Sequence, residues 1–397
     1  MKIAITGMGI ISAIGKTVEE NYEALLQKKS GISEIENFDT LHKEVIKVGE
    51  IKMTNQQLES LLGLPASNSF SRTALLGAYA AKKAVEDAQI SDINEYRTGL
   101  ISATSVGGMD MTERYYYEYF ENPAVQKYIR AHDAGDSSHK IADYIGLKGF
   151  VSTVSTACSS AANAIMLGAR MIASGQLDRV VVGGTDAMSK FTINGFKTLM
   201  ILSDTFNTPF DDNRKGLNLG EAAAFIVLES DKVVAQQGKK VLAYLKGFGN
   251  ANDAYHQTAS SENGDGAFLA MQKAFAMAQI TPESVDYINA HGTATPNNDL
   301  SEGRAILRAF EGNSVPDFSS TKAFTGHTLA AAAAIEAVYS VLAMQYGKVF
   351  PNLNFKTPMK EFDLIPQTEV KDKEINCVLS NSFGFGGNCS TLIFSKN

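Results

Sequence analysis

The chain has 397 residues, with 36 Lys plus Arg against 43 Asp plus Glu and a formal net charge of −7. Hydrophobic residues make up 44% and charged residues 20%, with 33 Gly and 9 Pro, which excludes a disordered chain, a collagen-like repeat and a coiled coil. A mildly acidic balance with no run of like charge argues against a general nucleic-acid binder.

In chain order, Ile3 to Thr6 reads as a buried strand and Val18 to Lys28 as an amphipathic helix. Phe70 to Ala88 reads as a long Ala-rich helix and Thr98 to Ala103 as a strand, ending in Ser105-Val106-Gly107-Gly108. Residues 109 to 149 are aromatic-rich and irregular, and suit a cap or an interface. Phe150 to Val154 is a strand, Cys158 to Ser174 a helix of small residues capped by Gly175, and Arg179 to Val182 a strand. Ala222 to Leu228 is another apolar run. The second half repeats the pattern: strand Val241 to Leu245, helix Phe268 to Ala278, strand Val285 to Asn289 and strand Asp317 to Ser320. An alanine-dominated helix follows from about Thr328 to Met344, then two antiparallel strands, Val378 to Ser382 and Ser390 to Phe394. Strands alternating with helices predict an α/β fold with parallel sheets.

Cys158, Cys377 and Cys389 are the three cysteines, too few and too odd in number for a disulfide framework, so a reduced compartment is expected. The N-terminus reads as strand and turn rather than signal peptide. No stretch approaches the ~18 apolar residues of a bilayer span. The expected location is the cytoplasm, away from membrane and nucleic acid.

Cys158 stands in Thr156-Ala157-Cys158-Ser159-Ser160, between a strand and a helix. There the helix dipole favours thiolate, and a sharp turn would lift the sulfur out of the strand. For a lone cysteine the alternative is a small buried hydrophobe, the reading given to Cys377 and Cys389. Of the six histidines, His291 and His327 lie beyond strand ends, where open α/β sheets build their sites. Each alone reads more readily as a packed histidine satisfied by backbone. A Cys with two His could also bind zinc, but no CxxC pair or HExxH motif accompanies them, so no metal is expected.

Taken together, four motifs stand in order: Thr156-Ala157-Cys158-Ser159-Ser160; Ala290-His291-Gly292-Thr293-Ala294-Thr295-Pro296 with Asn298-Asp299; Lys322-Ala323-Phe324-Thr325-Gly326-His327; and Asn381-Ser382-Phe383-Gly384-Phe385-Gly386-Gly387-Asn388. On them the chain resembles the β-ketoacyl-acyl-carrier-protein synthases of the KAS I/II type, condensing enzymes of the thiolase-fold superfamily, from Ile3 to the last strand. The resemblance implies a thiolase-like five-layer αβαβα body built from two similar halves, residues 1–240 carrying the nucleophile and 241–397 the two histidines. It implies a homodimer, or a heterodimer with another ketosynthase-like chain, acyl carrier protein as partner, and no cofactor.

It also implies roles. Cys158 would be acylated; His291 and His327 would bind the malonyl thioester carbonyl during decarboxylation. The backbone N–H groups of Cys158 and Phe385 would form an oxyanion hole, with Phe385 and Phe383 at the gate. Lys322 would fix His327 and the local field, paired with Glu336. Thr293 and Thr295 would hold the pantetheine arm, and Val106 would limit the acyl pocket. The sequence departs from the family pattern at Arg214-Lys215-Gly216-Leu217-Asn218, at Gly220-Glu221-Ala222, in the arginine-free segment from Ser203 to Thr208 and at Ala331 to Ala334. The expected setting is fatty acid synthesis, with a dedicated aryl-polyene or polyketide pathway as the lesser alternative that these departures raise. Two other readings are a non-condensing chain-length-factor-like subunit, which usually lacks the nucleophile, and a coenzyme-A thiolase, which uses a second cysteine near the C-terminus.

Overall fold

The computed structural model describes residues 2–397. Ten strands carry the architecture: β1 (Ile3–Ile11), β2 (Thr98–Ala103), β3 (Phe150–Val154), β4 (Arg179–Asp186), β5 (Ala222–Glu229), β6 (Ala243–Asn252), β7 (Tyr287–Asn289), β8 (Asp317–Ser319), β9 (Cys377–Gly384) and β10 (Asn388–Ser395). They join in one hydrogen-bonded order, β8-β7-β9-β10-β6-β1-β5-β4-β2-β3. The first five strands run 3-2-4-5-1 from the outer edge inward, and the second five repeat that order. Directions repeat too. In each half the three outer strands are parallel and the remaining two are antiparallel to their neighbours. The halves meet where β1 pairs antiparallel with β6, Ile3 opposite Leu245. The sheet is thus mixed: the C-terminal pair is antiparallel as expected, and the first half, expected to be parallel, has antiparallel pairings at β5 as well.

Helices fill the layers. On one outside lie α1 (Arg72–Asp87) and α2 (Ala134–Tyr144), α1 packing on β1, β5 and β4. In the middle lie α3 (Ser160–Ala173) and, later in the chain, the alanine-rich helix Ala332–Tyr346, which touches β5 of one half and β9 of the other. On the far side, Asp265–Ala278 packs on β6 and β10 and against Pro296–Ala309. In chain order the helices used below are α4 (Lys190–Thr198), α5 (Asp265–Ala278), α6 (Pro296–Ala309) and α7 (Ala332–Tyr346). The result is five alternating layers.

Local signals explain the ends. Ser71 accepts from Ala74 N at the start of α1 and Ser189 from Thr192 N at the start of α4, each satisfying an otherwise unpaired helix donor. Gly347, left-handed at φ 61°, closes α7. Small residues on α7 let it lie between two sheet halves, and the helix is buried from Ala332 to Met344.

Three further expectations change. Residues 109–149 are largely helical, including Met109–Tyr115, Gln126–Ile129 and α2. The helix after Cys158 begins at Ser160, leaving Cys158 in the turn before it. The stretch Leu329–Tyr346 does reach 18 residues, with mean hydropathy 1.4, yet 89% of it is buried. It is apolar because it is the centre of the sandwich, which by composition alone looks like a membrane span.

Candidate active site

The repeated topology converges the motifs. Cys158 precedes α3 and His327 precedes α7, matching places in the two halves, while His291 follows β7. The sulfur and one ring nitrogen of each histidine all lie within 4.8 Å of one another, and all three residues are buried. The imidazoles meet edge-on, centroids 5.4 Å apart at 89°, and Phe383 packs on His291 at 5.8 Å.

Cys158 sits on a strained turn. Ala157 has φ 52°, a left-handed backbone that a non-glycine residue adopts only when its surroundings impose it. Across the cleft, a Cβ on Gly384 would lie 2.9 Å from Cys158 N, so glycine is needed for this approach. The backbone N–H groups of Phe385 and of Cys158 itself favour the thiolate form of the sulfur. Burial nevertheless pushes the thiol up to about 11, against the pull of Lys322 and those N–H groups. The helix-terminus argument for a resting thiolate therefore gives way to desolvation, and the ground state is the thiol.

His327 has a fixed tautomer. Leu329 N–H donates to its Nδ1 at 3.1 Å, so the ring hydrogen sits on Nε2, which is then a donor. Its backbone is held in a strand-like bridge to Leu219, with His327 N donating to Asn218 O at 2.7 Å and Gly220 N to His327 O at 3.0 Å. Gly326 makes this possible, because a Cβ there would stand 2.5 Å from Leu219 O. Burial first, then Lys322, holds His327 down at about 3 and His291 well below the usual histidine range, so both rings are neutral. His291 Nδ1 is sealed in the interior and has no protein hydrogen-bond partner.

Lys322 does not touch His327. Its Nζ donates to His291 O at 2.6 Å and to Glu336, whose second oxygen accepts from Ser382 Oγ at 3.4 Å. Lys322 thus fixes the His291 backbone and reaches His327 only through its field, a correction to the expectation from sequence. Thr293 and Thr295 bond each other at 2.8 Å.

Two cavity arms open from the sulfur. One, about 350 Å³, is lined by His291, His327, Thr293, Thr295, Phe383 and Phe385 among others. The other, about 800 Å³, is lined by Val106, Ser105, Leu329, Phe191 and Phe196. Phe385 and Cys158 border both, and Phe385 stacks on Phe196 at 5.8 Å. A two-armed site centred on a thiol can hold an acyl chain on one side and a second thioester on the other.

Sequence reasoning missed several residues. Glu302 on α6 accepts from His291 N at 2.8 Å and Gly292 N at 2.7 Å, and burial raises it to about 7. Its signal was an acid on the buried face of α6. Phe196 lay on a helix with no motif, and its stacking on Phe385 is visible only in space. Asp186 was not singled out; its signal was an acid shortly after the apolar run Val180-Val181-Val182 and two glycines.

The three groups could in geometry also hold a metal ion, as a thiolate and two neutral imidazoles are zinc ligands. Their surroundings suit organic chemistry better. The sulfur is faced by N–H donors, and His327 Nε2 is presented as a donor.

Comparison with known proteins agrees with the geometry. Residues 1–233 match the family described as "Beta-ketoacyl synthase, N-terminal domain" and residues 242–356 "Beta-ketoacyl synthase, C-terminal domain". The chain is 35% identical over 410 residues to "3-oxoacyl-[acyl-carrier-protein] synthase 2" of Staphylococcus aureus, covering 100% of this chain and 98% of the relative. Among solved structures it is similar to the ishigamide ketosynthase/chain length factor, with TM-score 0.91, 28% identity and coverage of 100% of this chain and 99% of that one. It is also similar to a ketosynthase in complex with its chain length factor from Xenorhabdus doucetiae, with TM-score 0.86, 30% identity and coverage of 100% and 98%. With both domains matched and the thiolase-like layers in place, the chain belongs to the β-ketoacyl synthase family and is an acyltransferase-class condensing enzyme.

Proposed function

We propose that the chain joins an acyl group held on Cys158 to malonyl-acyl carrier protein by decarboxylative Claisen condensation. The observation that carries this reading is the meeting of one sulfur and two neutral imidazoles at the junction of two cavity arms. In the first half-reaction the Cys158 sulfur attacks the acyl thioester. The oxyanion that forms is met by the N–H groups of Cys158 and Phe385. The acyl–sulfur bond to the carrier breaks, and the thiol proton passes from Cys158 to the departing carrier sulfur. A thiol thus replaces a thiol, which suits a nucleophile protonated at rest.

In the second half-reaction malonyl thioester enters, its carbonyl oxygen facing His291 and His327 Nε2–H. Carbon dioxide leaves, and the electron pair is held as an enolate by these neutral donors. That carbon attacks the acyl carbonyl. The bond to Cys158 breaks, and its sulfur takes up a proton from water. The chain grows by two carbons. Thr293 and Thr295 line the smaller arm, where a pantetheine arm would lie, and Val106 lines the larger one, where acyl length would be sensed. Lys322 with Glu336 keeps the His291 backbone fixed, and Phe385 with Phe383 forms the gate.

The two units are residues 1–240 and 241–397, a division supported by the repeated strand order. The strand β3 edge and the exposed Tyr117 and Phe120 support pairing with a second chain, either a copy or another ketosynthase-like subunit. The chain would work in the cytoplasm with an acyl carrier protein, and it needs no cofactor for these steps. Intact mass spectrometry after incubation with acyl carrier substrates tests the reading. An acyl mass on Cys158, and a product two carbons longer after malonyl carrier is added, is expected. Folded protein without either would overturn it.

A further inference from the structure

Asp186 closes β4 and is fully buried, and among the described residues it has no ion-pair partner. Three donors hold its carboxylate instead. Thr104 Oγ1–H donates to Oδ1, Ser105 N–H to both oxygens at 3.1 and 3.0 Å, and Ala330 N–H to Oδ2 at 2.9 Å.

The donors come from two separate parts of the site. Ser105 and Val106 form one wall of the larger arm, and that loop is tightened further by Gly107 N–H donating to Thr104 Oγ1 at 3.1 Å. Leu329, beside Ala330, forms part of the facing wall, and its N–H is the donor that fixes the His327 tautomer. Leu329 has φ 54°, unfavourable for a branched side chain. Two consecutive N–H bonds, Leu329 to His327 and Ala330 to Asp186, hold it there. One buried carboxylate therefore ties the acyl-side loop to the histidine turn.

We infer that Asp186 is a positioning and specificity-determining residue: its carboxylate clamps the Ser105–Val106 wall to the Leu329–Ala330 turn, setting the width of the acyl arm and the aim of His327. This rests on the condensation reading above. Burial raises the Asp186 carboxyl to about 6, in keeping with a group held by neutral donors rather than by a cation.

The test is Asp186→Asn, which keeps shape but turns one acceptor into an N–H₂ facing the N–H of Ser105 or Ala330. Wild type and variant are compared on a series of acyl carrier primers of rising length, with kcat and KM separated, and on decarboxylation of malonyl carrier alone. The expected result is a kcat/KM on the preferred primer lower by on the order of tenfold, a smaller loss on longer primers, and slower decarboxylation. A role in folding alone would lower the active fraction equally for every primer and leave the length profile unchanged. Thr104→Val, which removes one donor and leaves the carboxylate, should shift the profile in the same direction by less. If Asp186→Asn fails to fold, Thr104→Val decides. A folded variant with the wild-type length profile and decarboxylation rate would overturn the inference. A wild-type chain that condenses no primer would overturn the condensation reading, and this inference with it.

Discussion

Lys322 Nζ lies 2.6 Å from the backbone oxygen of His291 and also bonds Glu336, with all three residues buried. A positive charge is thus held beneath the two imidazoles without touching either ring. It discourages their protonation, adding to burial, and it pulls on the Cys158 thiol from the same place. One ammonium serves three groups because the strand ends of both halves converge above it.

Breaking that pair should be felt in stability. Lys322→Met leaves Glu336 buried without its cation, and an uncompensated buried charge destabilises by about 3–5 kcal/mol. Urea unfolding should show this loss, and the double variant Lys322→Met/Glu336→Leu should recover part of it. Equal stability of the single and double variants would contradict the account.

Cys158 should behave as a buried thiol. With its pKa pushed up to about 11, iodoacetamide labelling at Cys158 should keep accelerating from pH 7 to pH 10, since the thiolate fraction is still rising. A plateau near neutral pH would mean that a resting ion pair exists. Cys158→Ala should keep the fold and lose both the acyl adduct and condensation.

The histidines should separate the two half-reactions. His291→Ala and His327→Ala each remove a donor to the enolate, which typically lowers the rate by about 10²–10³. Condensation and malonyl decarboxylation should fall by that order, while the acyl adduct on Cys158 still forms. Stopped-flow acylation beside steady-state turnover makes the comparison.

Acyl length should follow Val106. Its side chain lines the larger arm, so Val106→Phe should move the preferred primer shorter by a few carbons with little change for the shortest. Product mass across a primer series reads this. An unchanged profile would place the acyl chain elsewhere.

Acid should weaken the fold through the same rings. His327 falls from 6.5 to about 3 on folding, so the folded state binds fewer protons; its contribution is full above about pH 6.5 and is lost as pH falls toward 3. His291 acts in the same direction. Asp186, raised to about 6, has the opposite sign and loses stability as pH rises from about 4 to 6. His327→Gln should therefore show a smaller drop in Tm between pH 6.5 and 5 than the wild type, by scanning calorimetry.

The sequence by itself determined the elements and the candidate chemistry. Thr98–Ala103 and Phe150–Val154 appear where the apolar runs put them, and the motifs around Cys158, His291 and His327 sit at strand ends because each is a contiguous tag whose glycines and small residues mark a sharp turn. Local patterns cannot report direction or distance. The mixed sheet and the β1–β6 junction follow from pairings between segments far apart in the chain. The state of the thiol was misread for the same reason: a dipole is local, whereas desolvation is the sum of everything packed around the sulfur. Lys322 reached His291 rather than His327, and Asp186 and Glu302 became part of the site, because buried backbone N–H and C=O groups must find partners wherever the fold brings them.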